Sequence, residues 1–170
     1  MGAGVVLDTS YLITLADPDR QNHAVARRYW QYFMEQGLPV FLPAIVVSEF
    51  YVRQEIPPDI LRCSVVLPFN WDDAIKPAQL DFTQYRAAGE SRVAIKDDVK
   101  IIAQAVICDA QYVVSEDADT LIRIAAELKA AGKVDLKTIC LKDGFDCAFL
   151  DANGQRDFDD ALNQSDAAPE

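Results

Sequence analysis

The chain predicts an α/β domain, and three observations carry that prediction. Short apolar runs of β type alternate with helical segments along most of the length. The connections between them are brief and punctuated by Asp, Pro and Gly. Of the 170 residues 51% are apolar, enough for one domain with a substantial core.

Each element has its own justification. Gly4–Asp8 predicts a fully buried strand, since Val5-Val6-Leu7 offers no polar face. Ser10–Ala16 predicts a short helix ended by Asp17-Pro18, and Asn22–Gln36 a longer one stopped by Gly37. Pro39–Leu42 is a second strand, Ile45–Gln54 a helix, Pro57-Pro58 the start of a further turn, and Ser64–Leu67 a third strand. Asp72–Ala88 predicts a helix broken near Pro77, followed by a loop, residues 89–96, that carries Arg92 and Lys96. Asp98–Ala110 is the clearest core helix, because Ile101, Ile102, Ala105 and Val106 share one stripe. Tyr112–Ser115 is a fourth strand, Asp119–Ala131 a helix closed by Gly132, and Leu136–Leu141 a fifth strand. The domain spans residues 1–144. Residues 145–170 form an acidic extension, with a turn of hairpin type at Asp151–Gly154 and a disordered tail from about residue 163.

Composition excludes several classes. No apolar stretch approaches the roughly 20 residues a membrane span needs, and no secretory leader is visible. Val6 stands where a myristoylation signal needs Ser or Thr. The four cysteines, Cys63, Cys108, Cys140 and Cys147, lack metal-type spacing, and Cys108 and Cys140 sit in apolar runs as buried, reduced thiols. A cytoplasmic protein is expected. His23, the lone histidine, is expected at the surface and cannot supply a histidine-rich zinc site. The net charge of −11 opposes nucleic-acid binding, which ordinarily leaves a basic footprint. Cations bound at an acidic cluster, or a basic partner, would offset it locally.

The chemistry lies in carboxylates that an α/β fold gathers beyond the carboxyl ends of its strands. Asp8 ends the first apolar run, where it also suits an N-cap. Glu49 has Ile45, Val46 and Val52 as its helical neighbours, so it points into a cleft or forms an exposed pair with Arg53. Asp98 leads the core-facing stripe of its helix, whereas Asp97 faces elsewhere and suits the N-cap. Asp117 and Asp119 share one side of the chain after the fourth strand, unless Asp119 caps the next helix. Ser115 is placed to hold a ligating carboxylate, a role Ser10 can share. Arg92, Lys96 and Lys100 surround the acidic pair and are candidates for contacting substrate phosphates. Clustered oxygens of this kind suit a hard divalent cation. No histidine or cysteine is placed for a metal-independent mechanism.

The ordered set of Val5–Ser10, Val47–Phe50, Asp98–Ala105 and Val114–Asp119 resembles the PIN-domain family, in particular the VapC-type toxin ribonucleases of toxin–antitoxin systems. The resemblance covers about residues 4 to 142. It implies a three-layer α/β/α sandwich around a short, mainly parallel sheet. It also implies a Mg²⁺- or Mn²⁺-dependent endoribonuclease that hydrolyses RNA phosphodiesters. Asp8, Glu49, Asp98 and Asp117 match the family's catalytic, metal-binding acids, and Asp119 matches a further ligand. An antitoxin partner and a homodimer are implied as well. Thr120 departs from the pattern, standing where the family often has Phe. The alternative is a degenerate PIN module that binds RNA or a protein without catalysis. A phosphatase of the haloacid-dehalogenase type would need Asp where this chain has Ser10.

Overall fold

The computed structural model describes residues 4–85, 92–116, 118–148 and 150, with the backbone alone for residues 92–94. Five strands, β1 (Gly4–Leu7), β2 (Val40–Pro43), β3 (Ser64–Leu67), β4 (Ala110–Ser115) and β5 (Lys137–Cys140), form one sheet in the order β3-β2-β1-β4-β5. Every pairing is parallel. The predicted turn at residues 151–154 and the tail from residue 163 lie outside the described residues.

Parallel neighbours require crossover helices, and such crossovers are right-handed. From β1 the chain steps through β2 to β3, so α1 (Thr9–Ala16), α2 (His23–Glu35), α3 (Ala44–Tyr51) and α4 (Pro58–Arg62) cover one face. It then returns to β4 and steps outward to β5, which puts α5 (Trp71–Leu80), α6 (Arg92–Ile107) and α7 (Arg123–Ala130) on the other. The packing agrees: α1 meets α2 and α3, whereas α6 meets α5 and β4, and α7 meets β5. This is the expected three-layer α/β/α sandwich, with a wholly parallel sheet.

The core follows from the apolar runs. Val5, Val6 and Leu7 of β1 and Tyr112, Val113 and Val114 of β4 are completely buried, as central strands covered on both faces must be. Phe33, Phe50 and Ile102 close on them from the helices. Gly4 allows one close approach: a Cβ built there would lie 2.5 Å from the Phe41 ring. Gly4→Ala should therefore cost about 1–3 kcal/mol, as overpacking does, measured by urea unfolding. An unchanged midpoint would show that the ring moves aside freely.

Several boundaries differ from expectation. α5 runs through Pro77, and the break falls instead at Asp81, whose φ is +53°. Its start is reinforced by reciprocal capping. The Asn70 side chain accepts from the Asp72 and Asp73 amides, at 2.9 and 3.3 Å, and Asp73 accepts from the Asn70 amide at 2.7 Å. Burial of Asp73, Pro77 and Leu80 along one stripe holds the helix across the proline. α6 begins at Arg92, so the expected loop to residue 96 is partly helix, and Asp97 and Asp98 do not open it. Ile95 and Val99 extend its buried stripe backwards. α7 begins at Arg123, because a π-helical turn (Ala118–Ile122) precedes it. His23 is half-buried rather than at the surface, with its ring Nδ1 3.0 Å from the Thr14 carbonyl oxygen. Cys140 is buried as expected, whereas Cys108 is only half-buried.

Two further features stand out. The edge strand β3 is open on both faces, with Val65 53% and Val66 44% exposed, and Trp71 just after it is 78% exposed. Exposed apolar side chains also lie on the helices, with Tyr51 and Val52 at the end of α3, Leu61 on α4, Ile75 on α5 and Ile107 on α6. Among the described residues beyond β5, Phe145 packs edge-on against Tyr29, and the backbone carbonyl of the buried Leu150 accepts a 2.7 Å hydrogen bond from the Tyr112 hydroxyl.

Candidate active site

The strand order reverses direction between β1 and β4, so their crossovers leave on opposite faces and a crevice opens beyond their carboxyl ends. Asp8 stands there, one residue past β1. It is 6% exposed and is the N-cap of α1. Its Oδ2 accepts 2.7 Å hydrogen bonds from both the Ser10 and Ser115 hydroxyls, and those hydroxyls lie 2.9 Å apart. The parallel register of β1 on β4 delivers Ser115, 107 residues distant, to this position. Among the described residues Oδ1 accepts no hydrogen bond and Asp8 forms no ion pair. One carboxylate oxygen is thus held by two hydroxyls and the other stands open among the described residues.

Glu49 comes from α3, after β2, and is half-buried. The Thr9 hydroxyl donates to its Oε2, which fixes it toward α1 rather than toward Arg53. Burial raises its pKa above the ordinary carboxylate range; the Thr9 hydrogen bond opposes this, and the neighbouring charges of Asp97 and Asp8 reinforce it. The charge of Asp97 is therefore felt at Glu49, although Asp97 was expected to face elsewhere. It accepts a 2.8 Å hydrogen bond from Lys100 Nζ, and Lys100 is the cation that moderates Glu49. Lys100 thus lies beside Asp97 and acts on Glu49 through its charge.

The other candidates are placed less closely. Asp98 follows Asp97 on the second turn of α6 and is half-buried. Asp119 lies in the π-helical turn, on the wall of a cleft that also contains Ser10. Lys96 is exposed on α6, and Arg92 is its first residue. Asp117 lies outside the described residues. Among the described residues, no three His, Cys, Asp or Glu side chains are close enough to share a metal ion. The donors nonetheless suit a hard cation in kind. Asp8 is a buried carboxylate with an open oxygen and no cationic partner among the described residues, and Glu49 bears an unfavourable surplus of negative charge.

Glu116 was not among the residues expected at the site. Its carboxylate accepts from Thr14 at 2.8 Å, from Asn22 at 3.0 Å and from the Arg20 guanidinium. Burial raises its pKa, but those hydrogen bonds and the Arg20 charge outweigh burial and hold it below the usual range. Its backbone N–H donates to the Ser10 hydroxyl at 2.9 Å, tying the α1–α2 connection to the Asp8 cradle. Position after β4 was the only sequence signal, since its partners on α1 and before α2 become neighbours through folding alone.

The class is thus a doubly wound parallel α/β domain with a carboxylate site at its switch point. Solved structures that the fold resembles include a VapC toxin and two VapBC complexes. VapC20 of Mycobacterium tuberculosis, a sarcin–ricin-loop-cleaving toxin, is 18% identical, covering 78% of this chain and 98% of its own, with a TM-score of 0.51. DNA-bound VapBC of Salmonella typhimurium is 14% identical, covering 82% and 98%, with a TM-score of 0.55. VapBC2 of Rickettsia felis, bound to a promoter DNA fragment, is 11% identical, covering 79% and 96%, with a TM-score of 0.52. No family model and no curated protein matches the sequence. These structural likenesses establish the fold alone, one that this chain shares with the VapC structures.

Proposed function

We propose that this protein is a divalent-metal-dependent endoribonuclease and the toxin of a toxin–antitoxin pair. The observation that carries this reading is Asp8, held at the switch point by two hydroxyls with one oxygen left open. Asp8 and Glu49, with Asp98, Asp117 and Asp119 from the sequence pattern, are the residues that would hold Mg²⁺ or Mn²⁺. When bound, such an ion supplies an acidified water and charge stabilisation for phosphodiester hydrolysis.

The chain's own residues do the rest. Ser10 and Ser115 fix Asp8 in one orientation, so no rotamer freedom is lost when a ligand arrives. Thr9 does the same for Glu49. Lys100, beside Asp97, offsets repulsion among the acids and offers a cation to an incoming phosphate. An antitoxin fits the charge logic, since a basic side chain entering the site would relieve the same repulsion. A homodimer fits the exposed apolar surface around β3. Among the described residues no helix is long and apolar enough to cross a membrane.

The test is cleavage of single-stranded and structured RNA by purified full-length protein. Cleavage should require Mg²⁺ or Mn²⁺, stop with chelator and return with added metal. RNA cleaved equally well in chelator would overturn the reading. Binding of RNA without cleavage under any metal would favour the non-catalytic module.

A further inference from the structure

A cleft of about 660 Å³ adjoins the Asp8 cradle and shares Ser10 with it. Its walls come from the carboxyl-end side of β1, β4 and β5: Ser10 from α1, Glu116 and Asp119 after β4, and Lys142 after β5. Gln21 and Asn22 close it from the α1–α2 connection. Among the described residues no lining side chain is apolar, unlike small-molecule pockets, whose walls are mostly apolar. Two cations, Arg20 and Lys142, face it in a chain of net charge −11. Arg20 is oriented by Glu116, while Lys142 is exposed and forms no ion pair among the described residues. β5 lies two strand spacings, roughly 10 Å, from β1. A ligand at the Asp8 open oxygen therefore extends into this cleft without leaving the crest of the sheet.

We propose that this cleft holds a nucleotide adjoining the cleaved bond of a single-stranded RNA, with Lys142 on its phosphate. The proposal rests on the ribonuclease reading and deepens it. The chemistry supports it at three points. Lys142 and the oriented Arg20 suit phosphate oxygens. The Gln21 amide suits a ribose hydroxyl or base edge, which single strands leave accessible. The cleft is also far larger than an inorganic phosphate requires. Lys142 acts in binding alone, since neither Asp8 nor Glu49 lines the cleft.

The experiment compares wild-type protein with Lys142→Ala and Lys142→Arg in steady-state cleavage of a single-stranded RNA with Mn²⁺. Lys142 is exposed, so both variants fold. Lys142→Ala should raise KM about ten-fold, the value of one charge-assisted contact, with kcat within two-fold. Its KM should depend less steeply on salt, the log–log slope falling by about 0.7 for one lost phosphate contact. Lys142→Arg should restore most of both. Wild-type cleavage with KM and salt slope unchanged in Lys142→Ala overturns the cleft's role and leaves the ribonuclease reading standing. Unchanged KM with weakened capture of a protein partner overturns it too, assigning the cleft to that partner. Absence of RNA cleavage by the wild type under any metal overturns both readings.

Discussion

Asp8→Asn should reduce metal-dependent RNA cleavage at least about a hundred-fold, because the site loses charge where a metal would contribute several kcal/mol. The fold should persist. Asn is as good an N-cap as Asp, so the amide oxygen can accept from Ser10 and Ser115 in place of Oδ2. The thermal midpoint should stay within about 2 °C of wild type. Asp8→Ala differs, because it removes the cap as well and costs about 1 kcal/mol of stability. Comparing the two separates chemistry from scaffolding. An Asp8→Asn protein that is folded and keeps a tenth of the activity would remove Asp8 from the catalytic set.

Glu49→Gln should lose activity while making the metal-free protein more stable at neutral pH. The sign follows from linkage. Glu49 has a raised pKa in the fold, so the native state binds its proton more tightly than the unfolded chain does. Stability is therefore lost as pH rises from the ordinary carboxylate range through the raised value. Gln keeps an acceptor for Thr9 and removes the charge that burial, Asp97 and Asp8 oppose. The melting midpoint should rise by about 2 °C at neutral pH, with the difference vanishing in acid. Added Mn²⁺ should raise the wild-type midpoint and leave the variant's nearly unchanged. A variant that is less stable than wild type at neutral pH without metal would show that Glu49 is a structural residue. Glu116 has the opposite linkage: its lowered pKa contributes stability above the ordinary carboxylate range that is lost as pH falls.

The sheet was legible because its strands are short apolar runs between turn residues. Ser64–Leu67 matches residue for residue, and β1 differs by one. Helix interruptions were less legible. Pro77 suggested a break that capping by Asn70 and burial against α6 overrule. Asp97-Asp98 suggested a helix start, although Ile95 and Val99 already carry the stripe across it. The same confusion sent Asp97 away from Glu49, since the choice between adjacent acids depends on where the helix begins. Asp8, Ser10 and Ser115 were legible because strand ends converge in any doubly wound sheet. Glu116 was not, because no local pattern connects it with Arg20 and Asn22. Pairing Thr9 with Glu49 likewise depends on how α1 leans on α3.

The bond from Ser115 to Asp8 spans 107 residues, and so sets a timetable for synthesis. Until β4 has left the ribosome, the strand bearing the first acid is paired on one edge alone, and the second hydroxyl is missing. A chain stopped before residue 110 presents helices but no finished crevice. Long-range parallel pairing is also slow to form. Under the proposed function, a nascent copy would therefore stay inactive until most of its length is made, leaving an interval in which a partner translated nearby could be waiting.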